Sequence, residues 1–240
     1  MKVALMQPTF LPWLGYFELM AKADVFVFLD DFQFVHRSYH QRNRLFVSRG
    51  VTRWLTCPVD KKDSYRAPLN QTLIVEDGWR KKLWRTIEGN YTKAKYFPMY
   101  ADVLRPLLLQ TYENLAVQNI TLIRALSKIL GICTEFRCSS EYVFHGKRSA
   151  LLYEILRYYG ANTYLSAHGS FGYMQEDGVF PVEDIEVLFQ NAVPKPYPQI
   201  GSETFMPYLS VLDALFNVGG KETRHLAENM TERWLTWNEM

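Results

Sequence analysis

Two uninterrupted apolar runs joined through one short helical repeat fix the kind of fold open to this chain. Val3-Ala4-Leu5-Met6 stops at Gln7-Pro8, where Pro8 biases Gln7 toward extended geometry, so the run reads as a buried strand. After a loop over residues 9–14, Tyr16, Leu19, Met20 and Ala23 recur at i, i+3, i+4 and i+7, one apolar face of a helix over residues 15–23. Val25-Phe26-Val27-Phe28-Leu29 follows, apolar throughout, and ends on Asp30-Asp31. The result is a compact βαβ unit. A strand apolar on both faces belongs in a parallel sheet covered by helices on both sides.

The same alternation resumes later. Strands are expected at residues 133–138, 163–165 and 185–189, and helices at 79–90, 99–113 with a kink or break at Pro106, 119–130 before Gly131, and 147–159 closed by Gly160. Five strands with intervening helices predict an α/β fold, a mostly parallel sheet flanked by helices, in a single domain over residues 1–240. Residues 32–115 read as an insertion of mixed character. It opens with a polar, strand-like stretch over 32–77 that holds a strand at 53–57 stopped by Pro58 and a turn of Asp60, Lys61, Lys62, Asp63 and Ser64. From residue 194 the chain changes again: Pro194, Pro196 and Pro198 favour an extended segment, and helices at 207–216 and 221–228 flank Asn217-Val218-Gly219-Gly220.

Charge excludes a polybasic or polyacidic protein, because 27 Lys and Arg stand against 25 Asp and Glu, a formal net charge of +2. At 48% hydrophobic and 22% charged residues the chain has ample material for a core, which argues against disorder. The aromatic share, 15%, is high, and such rings either fill cores or line pockets. No apolar run approaches the roughly 18 residues of a membrane span, so no membrane partner is expected. Cys57, Cys133 and Cys138 cannot all pair with one another and lack a zinc-ligand spacing, so a reducing, cytoplasmic setting is expected.

In parallel α/β sheets ligands bind outside the carboxyl ends of the strands. That rule selects two segments. The first, residues 7–15, contains Gln7, Thr9 and Trp13, and its amides lead into a helix as a possible anion cradle; alternatively Pro8, Pro12 and Trp13 only shape a stiff turn. The second, residues 30–44, is the densest polar stretch. Asp30 and Asp31 can hold Mg2+ or act as a base, or else cap a helix or pair with Arg42. Arg42 and Arg44 can clamp a phosphate or carboxylate, with Gln33 and Asn43 as polar orienters. His36 and His40, four apart, would share a helical face, without a third obvious metal ligand. The stretch 166–172 lacks the G-x-S-x-G spacing of a nucleophile elbow, and His168 and Ser170 read as pocket lining. Arg80, Lys81, Lys82 and Arg85 with Trp79 and Trp84 form a basic aromatic helix, either a nucleic-acid contact or a solvated face. Asp213 is either a buried anchor or a site residue.

Gln7-Pro8-Thr9-Phe10-Leu11-Pro12-Trp13-Leu14-Gly15-Tyr16-Phe17, Asp30-Asp31-Phe32-Gln33-Phe34, Arg42-Asn43-Arg44, Tyr164-Leu165-Ser166, Phe189-Gln190 and Leu209-Ser210-Val211-Leu212-Asp213 together resemble the WbqC-like protein family over nearly the whole chain. The resemblance adds Ser166, Tyr173, Gln199 and Asp213 to the substrate-binding candidates. It also implies a role beside surface-polysaccharide genes, in adding an amino acid such as glycine to a sugar. More distantly, the first loop is similar in layout to that of the nucleotidylyltransferase superfamily. The two imidazoles of that superfamily's phosphate-stabilising motif are replaced here by Trp13 and Tyr16.

Three functions follow as alternatives. The first is a transferase placing an amino acid or acyl group on an amino or hydroxyl group of a sugar nucleotide, glycan or modified nucleotide. In it, Asp30 or Asp31 is base or metal ligand, His36 or His40 carries the proton, and Arg42 and Arg44 hold a small charged donor. The second is a nucleotidylyltransferase-type enzyme using Mg2+ and a nucleotide. The third is a protein that binds a glycan or nucleic acid on aromatic platforms.

Overall fold

The computed structural model describes residues 1–48, 51–60, 62, 64 and 66–240. Lys61 and Asp63 of the expected turn lie outside the described residues. The first strand, β1 (Lys2–Met6), the helix α1 (Leu14–Lys22) and the strand β2 (Val25–Phe28) form the expected parallel βαβ unit, with Val3 opposite Val25 and Met6 opposite Phe28. Asp24 fixes that register by accepting the Lys2 amide at 2.7 Å, and the Leu29 amide donates to the Met6 carbonyl at 2.9 Å.

Between β2 and the next strand of this sheet come an antiparallel hairpin of β3 (Arg42–Ser48) and β4 (Val51–Thr56), then helices α2 (Trp79–Tyr91), α3 (Phe97–Leu109) and α4 (Leu115–Leu130). Pro106 neither breaks nor divides α3, because it sits in the last turn and the helix ends three residues later, short of the expected residue 113. The next helix starts earlier than periodicity suggested: Asn114 accepts the Val117 amide at 2.9 Å, capping α4 four residues ahead of position 119.

The remaining elements are β5 (Glu135–Cys138), α5 (Ser149–Tyr158), β6 (Thr163–Ala167), α6 (Phe171–Asp177), β7 (Glu186–Gln190), α7 (Val211–Glu228) and β8 (Leu235–Thr236). The sheet order is β5-β2-β1-β6-β7-β8, parallel except for β8. Numbered by appearance, the five parallel strands run 3-2-1-4-5, so the chain reverses its direction of travel across the sheet between β1 and β6. The two helices expected near the C-terminus are both present within α7, separated by a kink at Gly219, whose backbone is not helical (φ +82°) and where an added Cβ would lie 2.9 Å from the Tyr96 ring. Residues 207–210 stay outside it, and Ser210 caps its start.

Strand alternation explains why β1 and β2 are apolar throughout. Ala4, Phe26 and Phe28 face the core shared with α1, α4 and α7, while Val3, Leu5, Val25 and Val27 face a second core with α5 and α6. Phe26 and Phe28 are fully buried, and truncating a phenylalanine so placed costs about 3–5 kcal/mol. Among the described residues, no helix is long and apolar enough to cross a membrane.

Candidate functional site

Two cavities flank the carboxyl end of β1 at the switch point. One, about 390 Å3, lies on the α5 and α6 side and is lined by Gln7, Phe32, Arg148, Tyr164, Ser166, Ser170 and Tyr173, among others. The other, about 440 Å3, lies on the α1 side against Trp13, Tyr16, Tyr39, Asn43, Arg44 and Tyr208. Met6 and Thr9 line both, so a thin wall at the end of β1 is all that parts them.

The loop that makes this wall is rigidly held. Asn43 Nδ2 donates to the carbonyls of Phe10 (3.3 Å) and Leu11 (2.8 Å), and Asn119 Nδ2 donates to those of Pro8 (3.0 Å) and His40 (2.8 Å). Leu11 sits at φ +46°, a conformation a leucine keeps only where its surroundings enforce it. Trp13 lies directly over the start of α1: a Cβ on Gly15 would meet its ring at 2.4 Å. The ring covers the first helical turn, so this segment is the stiff turn and presents no open anion cradle. Asn43, expected as a substrate orienter, is spent on the same loop.

His40 is buried and spoken for at both nitrogens. The Val35 amide donates to Nδ1 at 3.1 Å, which leaves Nε2 as the protonated position, 2.7 Å from Gln7 Oε1. Burial pushes its pKa down to about 4, so the ring is neutral near pH 7. It is not placed as a proton carrier. Its effect is on Gln7: with Oε1 taken by the imidazole, the Nε2 amide is the group left to meet a ligand in the first cavity. His36 is exposed, packs edge-on to Phe34 and shares no helix with His40.

Arg42 and Arg44 share one face of β3, and both guanidinium groups pack on Trp54 of β4, at 4.3 and 5.9 Å from the ring centroid. No carboxylate among the described residues pairs with either. The Nε atoms of both are buried without an acceptor. A buried donor left unpaired costs about 1–3 kcal/mol, so both arginines are held in place at some expense. Tyr39 packs on the same tryptophan at 5.8 Å and faces the second cavity beside Arg44.

The aspartates point away. Asp30 is buried and accepts from the Ser140 amide (3.1 Å), the Ser140 hydroxyl (2.6 Å) and the Ser139 hydroxyl (3.3 Å); Asp31 accepts from Ser139 as well. Neither lines either cavity, and among the described residues no group of three or more His, Cys, Asp or Glu side chains is placed to hold a metal ion. Gln33 is exposed and bridges to Pro68. Asp213 is fully buried, accepting from Tyr91 (2.6 Å), Tyr197 (2.8 Å) and Gln199 (2.7 Å), and burial raises its pKa. Together with Gln199 it ties α2 and the extended segment to α7, and neither residue lines either of these two cavities. Of the expected set, Gln7, Thr9, Ser166 and Tyr173 meet in the first cavity, and Thr9, Trp13, Asn43 and Arg44 in the second.

Residues 7–225 match the WbqC-like protein family. The chain belongs to that family. It is also similar to a protein of Mycobacterium tuberculosis (strain ATCC 25618 / H37Rv) that carries the name Uncharacterized protein Rv1507c. The two are 35% identical over 227 residues, 94% of this chain and 97% of the other. No solved structure matches the chain.

This WbqC-like protein also uses residues that sequence reasoning passed over. Arg148 enters the first cavity from the start of α5, at φ +51°, with its guanidinium 2.9 Å from Asp177. In sequence it is one of a Lys-Arg pair ahead of a helix, which reads as solvated charge. Tyr208, also at positive φ, packs on Trp13 with its ring tilted at 54° and 5.3 Å between centroids, and lines the second cavity from a segment some 200 residues distant along the chain, with no local signal of that contact.

Proposed function

We propose that this WbqC-like protein is a transferase that moves an acyl or aminoacyl group, glycine being the simplest, from a small charged donor to an amino or hydroxyl group of a larger acceptor such as a sugar nucleotide, glycan or modified nucleotide. The observation that carries this reading is the pair of cavities meeting at Thr9 on the end of β1. Two sites parted only by Met6 and Thr9 hold two reactants in reach of each other, and such positioning is a large source of rate in group transfer.

The donor's anionic end sits by Arg44 and Arg42, against Trp13, Tyr39 and Trp54. The acceptor occupies the cavity of Gln7, Ser166, Tyr173 and Arg148. Both cavities are largely apolar, no carboxylate lines either, and the polar side chains that do, Gln7, Thr9, Ser166, Ser170, Tyr173 and Arg148 in the first and Asn43 and Arg44 in the second, can all donate; burial raises the Tyr173 hydroxyl to about 12, which keeps it a donor. Such a lining suits an already activated donor, whose developing oxyanion and departing anion need stabilisation more than its nucleophile needs a strong base. The acceptor's nitrogen or oxygen forms the new bond to the acyl carbon, the leaving group departs with the old bonding pair, and the nucleophile's proton passes to solvent.

A thermal-shift screen of amino acids, their activated derivatives and amino-sugar nucleotides tests this, followed by mass spectrometry of paired incubations. Stabilisation by one member of each class, with a product heavier by one acyl group, is expected. Stabilisation by a nucleoside triphosphate alone, with pyrophosphate released, would replace this reading with nucleotidyl transfer.

A further inference from the structure

We infer that Arg42 and Arg44 form a subsite for a doubly charged tetrahedral anion, the phosphate of a phosphoester or acyl phosphate, in preference to a carboxylate. The argument is one of matching donors and charge. Two cations stand on one strand face, their Cα atoms about 7 Å apart by strand geometry, with no carboxylate partner among the described residues. A carboxylate has one charge and two oxygens, which a single guanidinium fork already satisfies, leaving the other arginine as bare as before. A phosphate monoester brings three terminal oxygens and close to two negative charges, enough to meet both guanidinium groups.

The surroundings sharpen the preference. Trp54 packs on both guanidinium groups and keeps their planes fixed, and Tyr39 closes the side toward the second cavity. Held on a ring and short of acceptors, the pair is prepared for one ligand geometry. A flexible lysine pair would not discriminate in this way. This inference rests on the transfer reading only for what the anion is attached to; capture of the anion itself needs no turnover.

The test is calorimetric titration of the full-length chain with inorganic phosphate, methyl phosphate, acetate and glycine at fixed ionic strength. Phosphate and methyl phosphate are expected to bind at least about tenfold tighter than acetate or glycine. Arg44→Ala and Arg42→Ala should each weaken phosphate by about tenfold or more, and Arg44→Lys, which keeps the charge but loses the fork, should weaken it measurably too. Melting curves check that each variant is folded, and Arg44→Lys serves if an alanine variant is not. Acetate or glycine binding as tightly as phosphate would overturn the dianion assignment while leaving the transferase reading standing. Phosphate affinity unchanged in every folded variant, or no binding of any anion, would overturn the subsite itself. Phosphate binding as expected, with no acyl product in any paired incubation, would instead count against the transferase reading alone.

Discussion

Lowering the pH should strip stability from this protein through His40, by an amount the structure sets. In the folded chain the imidazole is neutral with a pKa of about 4, whereas in the unfolded chain it returns to about 6.5. A group whose folded pKa is depressed contributes stability that is complete above the unfolded value and lost as the pH falls toward the folded one. Linkage between those two values gives a loss of about 2 kcal/mol on going from about pH 7 to about pH 5, and about 3 kcal/mol if the descent is completed below pH 4. The cause is specific: a protonated ring would turn Nδ1 into a donor facing the Val35 N–H, and would place a charge where burial disfavours it. His40→Asn keeps an acceptor for Val35 and carries no titratable group. Urea unfolding of both proteins at the two pH values is the assay. The native chain should lose about 2 kcal/mol more than His40→Asn over that interval. An equal pH dependence in the two would refute the claim that the ring is held neutral.

Other consequences are as direct. Gly15→Ala drives a methyl into the Trp13 ring, because its Cβ would lie 2.4 Å away; a loss of about 1–3 kcal/mol by chemical denaturation is expected, with changed tryptophan fluorescence, and a neutral substitution would show that Trp13 does not cover the helix start. Tyr91→Phe removes one of three donors from the buried Asp213 carboxylate, so about 1.5–3 kcal/mol should be lost near pH 7. Because Asp213 has a raised pKa, that deficit should shrink as acid protonates it; a deficit independent of pH would place the cost elsewhere.

The central sheet was legible in the sequence because its strands are apolar on both faces, a pattern that only a covered parallel sheet explains. Val25 to Leu29 shows this most plainly, and all five expected strands were found. Helix α6, only seven residues long and close behind the Ser166-Ala167-His168-Gly169 turn, is not legible because about two turns carry too little periodicity to register. The site was legible only in part. Gln7 and Thr9 follow from the rule that ligands meet strand carboxyl ends, Arg44 from the polar stretch that leaves the second strand, and Ser166 from the family resemblance. Asp30 and Asp31 satisfy the same rule and yet turn toward Ser139 and Ser140, on the β5 side and away from the switch point, because the rule places a backbone and not a side chain. The burial of His40 and the partners at both of its ring nitrogens have no local signal in the sequence. Arg148 and Tyr208 arrive from distant segments in strained backbone, and only the folded chain brings them to the cavities.

The most direct measurement is a crystal structure of the protein with an amino-sugar nucleotide and a phosphate-activated glycine analogue that cannot react. We expect the acceptor beside Gln7, Ser166 and Tyr173, the donor's phosphate on Arg42 and Arg44, and the acyl carbon and the acceptor's nucleophile meeting next to Thr9. Both ligands in one cavity, or either of them at Asp30 and Ser139 with the wall at Thr9 empty, would contradict a transfer across the end of β1.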